Sequence, residues 1–358
     1  MKTLSQRFFL WTLLLLFPAI SQGADIIYLR TLDANGDREK TGGTVTAVTK
    51  TDVTVTVTGK GEVKVPANDI EYIEWDGAPP DTGLAIAALG TGQSQRAIDL
   101  ADKATTAISG AGKDNLVADL DFIRASALAD QAMTDSTKRA DAIAKLKDFV
   151  GRNRAHYRFY RAQLVLGDVA LGAGDFVVAS DAFTAAAGAP WKDFQMAAQI
   201  GTGRSLLLQN NVDGARKEFD AVVAMKPEGV AEKAKRLEAM VGQARCLHAQ
   251  KKYQEAVDAL NTVIDESSAA SSRLQAEAYV LQGAAYAQMS GREKDAIMSY
   301  LHVDVVPTLT REQDYHAEAL YHLVQLYSAI NDAPRAGSAR AALEVAYGNS
   351  QWAKKLTE

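Results

Sequence analysis

The residues best suited to metal or nucleophilic chemistry are five histidines and one cysteine, and their spacing supports neither chemistry. His156, His248, His302, His316 and His322 are scattered. His316 and His322, six residues apart, fall on different faces of one helix, so they cannot share a metal. No HExxH, GxSxG, GxxxxGK[ST] or CxxC run occurs. Cys246 sits among helical apolar residues and reads as a buried small side chain. Asp33-Ala34-Asn35-Gly36-Asp37 has the opening of a calcium loop, but Arg38 stands where that loop needs glycine and Thr44 where it needs glutamate. Asn35-Gly36 is read as a turn. Gly172-Ala173-Gly174 and Gly201-Thr202-Gly203 fall inside helical patterns, where small residues serve packing. The expectation is a protein that is not an enzyme and needs no cofactor or metal.

Elements of ordinary globular composition must then carry the function. The chain has 358 residues, 47% hydrophobic and 23% charged, with net charge −5. That sign argues against a nucleic-acid partner, which selects a basic surplus. Residues 1–23 read as a signal peptide: Lys2 and Arg7 supply the positive end, residues 8–20 the apolar core, and Ser21-Gln22-Gly23-Ala24 the small residues at the cut, placed after Gly23. The apolar run is short for a membrane span, which needs about 20 residues. Retention as an anchor is the alternative. No cysteine follows the run, so no lipid anchor is expected. The expected location is exported, periplasmic or extracellular, with no stable membrane span after cleavage.

Residues 24–77 form a separate small β domain. Valine and threonine alternate through Thr44-Val45-Thr46 and Val53-Thr54-Val55-Thr56-Val57-Thr58, the period of strands with one buried face. Five strands are expected, near 26–30, 44–49, 53–58, 62–65 and 71–75, with turns at Thr51-Asp52 and at Gly59-Lys60-Gly61. A single helical turn is expected at Pro66-Ala67-Asn68-Asp69. Five short strands with such a turn resemble a small SH3-like or Sm-like barrel. Ten acidic against six basic residues between Asp25 and Asp76 disfavour an Sm-like nucleic-acid role. Pro79-Pro80 ends the pattern, and Asp81 or Thr82 can cap a helix.

Residues 78–358 read as a helical array of about seven units. A small alanine opens the second helix of each, at Ala97, Ala142, Ala179, Ala215, Ala256, Ala296 and Ala336, with spacings of 45, 37, 36, 41, 40 and 40. Such a rhythm means stacked helical hairpins. Residues 160–190 hold one clear unit. Leu166, Gly167 and Ala170 lie on the first helix, Gly174 and Phe176 at the turn, Ala179, Phe183 and Ala186 on the second, and Pro190 after it. Gly167 and Ala179 are expected to let the two helices touch.

Gln199, Thr202-Gly203 and Leu206 lead to Ala215, Phe219 and Pro227, and Tyr279, Gln282-Gly283 and Tyr286 lead to Ala296, Tyr300 and Pro307. Met240, Ala244 and Leu247 lead to Tyr253, Ala256 and Leu260. On these residues the chain resembles a tetratricopeptide-repeat (TPR) protein of the bacterial envelope. The outer units are looser, and Arg340 stands where an aromatic belongs. The fold class expected is mainly α, an α-solenoid of TPR-like hairpins preceded by a small five-stranded β-barrel-like domain.

The resemblance implies a concave face that binds a protein or peptide. First-helix residues on it would be Arg204, Leu207, Leu208, Arg245, His248, Glu277, Val280 and Tyr321. Arg204 and Arg245 hold equivalent places in adjacent units, the hint of a pair facing carboxylates. The functional expectation is an exported non-enzymatic scaffold or adaptor. The alternatives are a structural component of the cell envelope that self-associates, and a cell-wall-associated accessory protein that binds through the β domain.

Overall fold

The computed structural model describes residues 23–33, 35–110, 112–268 and 271–356. The leader expected at residues 1–23 lies outside these except for Gly23.

Among the described residues five strands come first: β1 (Asp25–Leu32), β2 (Arg38–Val48), β3 (Asp52–Val57), β4 (Gly61–Pro66) and β5 (Ile70–Glu74). They pair antiparallel in the order β4-β3-β2-β1-β5. Alternation buries one side: Ile27, Val53, Val55, Ile70 and Ile73 are almost fully covered. The helical turn expected between β4 and β5 is present, with the Asp69 amide donating to the Pro66 carbonyl at 3.0 Å. Asp33, the first residue of the calcium-like run, accepts from the Asn35 and Asp37 amides at 2.8 and 3.1 Å. Its carboxylate serves the turn.

Strand β2 starts six residues before the Thr44 expected from sequence. The expectation missed that half because Gly42-Gly43 looks like a break. Here it is a corner. Up to Gly43 the strand pairs with β1, and from Thr44 it pairs with β3. A Cβ on Gly43 would stand 2.3 Å from the Thr56 carbonyl oxygen, so only glycine lets β2 cross that close to β3.

Among the described residues fourteen helices pair into seven hairpins: α1 (Pro80–Gly90), α2 (Ser94–Ala107), α3 (Asp114–Thr134), α4 (Arg139–Arg152), α5 (Phe159–Ala173), α6 (Phe176–Ala187), α7 (Lys192–Leu208), α8 (Val212–Ala224), α9 (Val230–Ala249), α10 (Tyr253–Glu266), α11 (Ser272–Ala287), α12 (Glu293–Val305), α13 (Gln313–Ala329) and α14 (Ala333–Tyr347). A last short helix, α15 (Gln351–Lys355), packs on α13 and α14. All seven landmark alanines lie on second helices and are buried. Three of the hairpin turns share a local code. A left-handed residue (Gly174, Asn210 or Asn331) is followed by Asp175, Asn211 or Asp332, whose side chain accepts from the third amide on.

The close approach expected between Gly167 and Ala179 has a different partner. Four residues after the landmark alanine stands Phe183, Phe219, Leu260 or Tyr300, each at most 1% exposed. A Cβ on Gly167 would lie 2.5 Å from the Phe183 ring, and one on Gly201 of the next unit 2.3 Å from the same ring. Phe219 lies likewise between Gly203 and Gly242. Gly167 therefore makes room for an aromatic ring. Arg340, in the equivalent place of the last unit, is exposed and pairs with Glu344 at 3.6 Å.

The β domain is docked on the side of the array. Asp119 of α3 accepts from Trp75 Nε1 at 2.7 Å, from the Tyr157 hydroxyl at 2.8 Å and from Arg158 Nε at 3.2 Å. Arg158 also donates to the Glu71 carbonyl of β5 at 2.7 Å. Its guanidinium lies over the Phe122 and Tyr157 rings at 4.9 and 4.8 Å. Arg30 of β1 reaches Asp193 of α7 at 3.9 Å. Tyr157 and Trp191 close the β core from the helical side.

Two outcomes are expected. Gly201→Val should destabilise the chain by about 1–3 kcal/mol through overpacking against Phe183. Adding Phe183→Leu should recover part of that loss, and an unchanged urea midpoint in the single variant would show that the ring does not fill this space. Asp119→Ala should cost about 3–5 kcal/mol, because it strands the Arg158 charge in a buried site. Chemical denaturation followed by far-ultraviolet dichroism reads both.

Candidate partner-binding face

The first helices α5, α7, α9, α11 and α13 stand side by side, each packed on the next. Their period brings equivalent residues into register along one face. The register can be read from the small residue that precedes each landmark alanine by 12 or 13 positions: Gly167, Gly203, Ala244 and Gly283. The next residue in each helix is Asp168, Arg204, Arg245 and Ala284.

These positions build a ladder of charge. Arg204 donates to Asp168 of the preceding unit at 2.8 Å and lies 3.9 Å from Glu238 of the following one. Arg245 grips Glu277 of its following unit at 2.9 Å through Nη2 and at 3.3 Å through Nε. Lys235 adds a bond to Glu238 at 2.7 Å. Arg204 and Arg245 thus do face carboxylates, and those carboxylates belong to this chain. Both arginine side chains keep more than a third of their surface in solvent, so each pair contributes on the order of 0–1 kcal/mol.

The other expected residues divide. Glu277 is the partner of Arg245. Leu208 is exposed at the end of α7, and Leu207 is half-buried against the α7–α8 core. His248 stands edge-on to Tyr253 at 5.2 Å, and burial pushes its pKa down. Val280 faces inward: it is 3% exposed and belongs to the core around Tyr300 and Leu320, so it offers a partner nothing. The expectation failed there because Val280 lies three residues before Gly283, on the packed side of α11. Tyr321 sits at the far end, tilted against Trp352 of α15 at 5.3 Å.

Sequence reasoning missed Asp168, Glu238, Tyr315 and Glu318. A signal was present. Glu238, Glu277 and Glu318 recur at spacings of 39 and 41, the rhythm of the landmark alanines. Their environments differ. Burial works against the Glu238 carboxylate, yet Lys235 and Arg204 hold it below the usual glutamate range. Burial dominates at Glu318, and its pKa is pushed up to about 6. Among the described residues Glu318 makes no hydrogen bond and no ion pair.

Elsewhere the chemistry is sparse. His316 binds Asp304 and Tyr347 at 2.9 and 2.8 Å, while His322 stacks on Tyr300. Among the described residues no group of three or more histidine, cysteine or acidic side chains is placed to hold a metal ion. Burial pushes the Cys246 thiol up to about 11, which leaves it protonated and unreactive. No described helix is long and apolar enough to cross a membrane. A cavity of about 710 Å³ lies between the β domain and α1, lined by Tyr72, Trp75, Ile86 and Arg38.

A tetratricopeptide-repeat family model matches residues 135–194, 164–230 and 200–272. A solved tetratricopeptide repeat protein from Parabacteroides merdae is similar with a TM-score of 0.52 at 15% identity, over 77% of this chain and 95% of its own. The apo form of RapI gives 0.51 at 9% identity, over 77% of this chain and 78% of its own. No curated protein sequence matches. Residues 135–272 of the helical array therefore match tetratricopeptide repeats.

The state of Glu318 sets an expected pH dependence. Its folded pKa is raised, so its contribution to stability is full below pH 4.5 and is lost as the pH rises through about 6. Glu318→Gln should therefore be more stable than the parent by about 1–2 kcal/mol at pH 7.5, with the gap closing by pH 4.5. Thermal melts at the two pH values test this. A gap of the same size at both would assign the effect to packing.

Proposed function

We propose that this protein is an exported, non-enzymatic scaffold that holds a partner polypeptide against the face formed by α5, α7, α9, α11 and α13. The observation that carries the reading is the ladder of half-exposed charged side chains on that face. Asp168, Arg204, Glu238, Arg245 and Glu277 are pre-arranged by helix packing yet remain open to solvent. Charges held in place by a rigid stack give orientation and specificity at low ordering cost. Tetratricopeptide repeats as a fold are protein-interaction modules, which supports the same reading. The charged leader followed by an apolar run supports export.

The test is crosslinking capture in the native cell, with a C-terminal tag and mass spectrometry of what is held. One recurrent partner is expected, and its recovery should fall when Arg204 and Arg245 are both changed to Gln. Arg216→Gln serves as the control, since Arg216 pairs only within α8, with Asp220 at 2.7 Å. Capture of the protein's own chain alone, with sedimentation that changes with concentration, would favour a self-associating envelope component.

A further inference from the structure

The ladder has a gap. Arg204 and Arg245 each follow the small residue of their first helix, and each meets a glutamate one unit on, Glu238 and Glu277. The next glutamate in the series is Glu318. The residue that should meet it is the one after Gly283, and that residue is Ala284. The third step of the ladder therefore has its acid and lacks its base.

We propose that this gap is filled by an arginine side chain of the bound partner, whose guanidinium takes at Glu318 the place that Arg245 takes at Glu277. The inference rests on the proposed scaffold role and names the chemistry of the segment held.

Three observations converge. Glu318 is half-buried and has neither ion pair nor hydrogen bond among the described residues. Position 284 carries only a methyl group where the preceding unit carries the Arg245 side chain. The Tyr300 hydroxyl, on a residue 1% exposed, has no hydrogen-bond partner and lies within electrostatic reach of Glu318. A buried hydroxyl without a partner is costly, and a donor arriving beside it would supply one.

The groups that act on this carboxylate do not close the gap. Arg245 of α9 is committed to Glu277. Lys355 of α15 acts on Glu318 without an ion pair. Asp314 and Glu277 are acids and oppose its charge. Tyr315 is held as a neutral phenol by burial. His322 is stacked on Tyr300 and kept neutral by burial. His248 likewise stays neutral, next to the Ala284 backbone. An arriving guanidinium would meet one unsatisfied carboxylate and, among the described residues, no competing cation at hydrogen-bond distance. Arginine suits the place better than lysine because its planar fork matches a carboxylate in two bonds.

The experiment uses the full chain with carboxyl-labelled glutamate and follows the Glu318 titration by nuclear magnetic resonance. The probe is acetyl-Gly-Arg-Gly-amide, and acetyl-Gly-Gly-Gly-amide is the blank. The arginine peptide should lower the Glu318 midpoint from about 6 toward the ordinary glutamate value, and the blank should leave it in place. Ala284→Arg should lower the midpoint with no peptide present and weaken binding of the probe by about threefold or more. Glu318→Gln should weaken binding to the same extent, which keeps the test open if Ala284→Arg fails to fold. A midpoint that the arginine peptide does not move, or that the blank moves equally, overturns the proposal. If capture in the cell yields a partner whose binding ignores Glu318→Gln, this inference fails and the scaffold role stands. If the peptide binds at Glu318 while no partner is captured, the scaffold role fails.

Discussion

The array depends on one steric constraint: a phenyl ring held between two glycines of neighbouring units. Phe183 projects from α6 into a slot whose walls are Gly167 of its own hairpin and Gly201 of the next. Phe219 repeats this between Gly203 and Gly242. The missing Cβ atoms let three helices converge on one ring, and the ring fixes how far apart consecutive first helices stand. Everything on the exposed face inherits that spacing. Arg204 reaches Glu238 across the α7–α9 spacing set by Phe219, and Arg245 reaches Glu277 across the α9–α11 spacing, where Leu260 takes the place of the ring. Where the ring gains a hydroxyl, at Tyr300, the second wall changes too. His322 stacks on the ring at 5.0 Å in place of a glycine, and the hydroxyl is left without a partner. The unit that carries Tyr300 is also the one in which the charge ladder lacks its base, at Ala284.

This explains which parts of the molecule could be read from the chain. The alanine rhythm was legible because each landmark solves the same local problem, a second helix touching a first at close range, and the solution recurs at near-constant spacing. The glycines were visible as small residues, but their role was assigned to Ala179. One hairpin's sequence does not say that the following hairpin also presses on the ring. The β domain was legible through its Val/Thr alternation, except where β2 changes partners at Gly42-Gly43. A glycine pair that serves close crossing has the same sequence signature as one that serves a turn.

The docking of the β domain left no trace in the sequence. It is built from Trp75 at the end of the sheet, Asp119 in the second turn of α3, and Tyr157 and Arg158 in the connector before α5. No two of these elements are adjacent in the chain, so no periodicity joins them. The charge ladder occupies an intermediate position. Its arginines drew notice because two of them coincide in register, whereas its glutamates did not, because acidic residues on helices are common. Only the register made visible by Gly167, Gly203, Ala244 and Gly283 separates the meaningful carboxylates from the rest.

The two ends of the stack are closed by different means, and the difference bears on where motion can occur. A terminal hairpin packs on one side only and must cover its apolar flank. At the far end the cover is α15, five residues long, with Trp352 against Tyr321 and His322 and Ala353 in the core. At the near end the β domain reaches past the first hairpin to α3, the connector before α5, and Arg30 extends to α7. Through Asp119 and Arg158, a buried pair whose separation is costly, it ties the second unit to the third, and Arg30 adds the fourth through Asp193. Local opening is governed by how many buried contacts must break together. The second to fourth units are braced from the side, while the last is held by a single short helix. The vacant carboxylate at Glu318 sits at the less braced end, beside the cap that contributes Lys355 to its surroundings. The part of the face best able to adjust to an incoming side chain is therefore the part that has a charge left to satisfy.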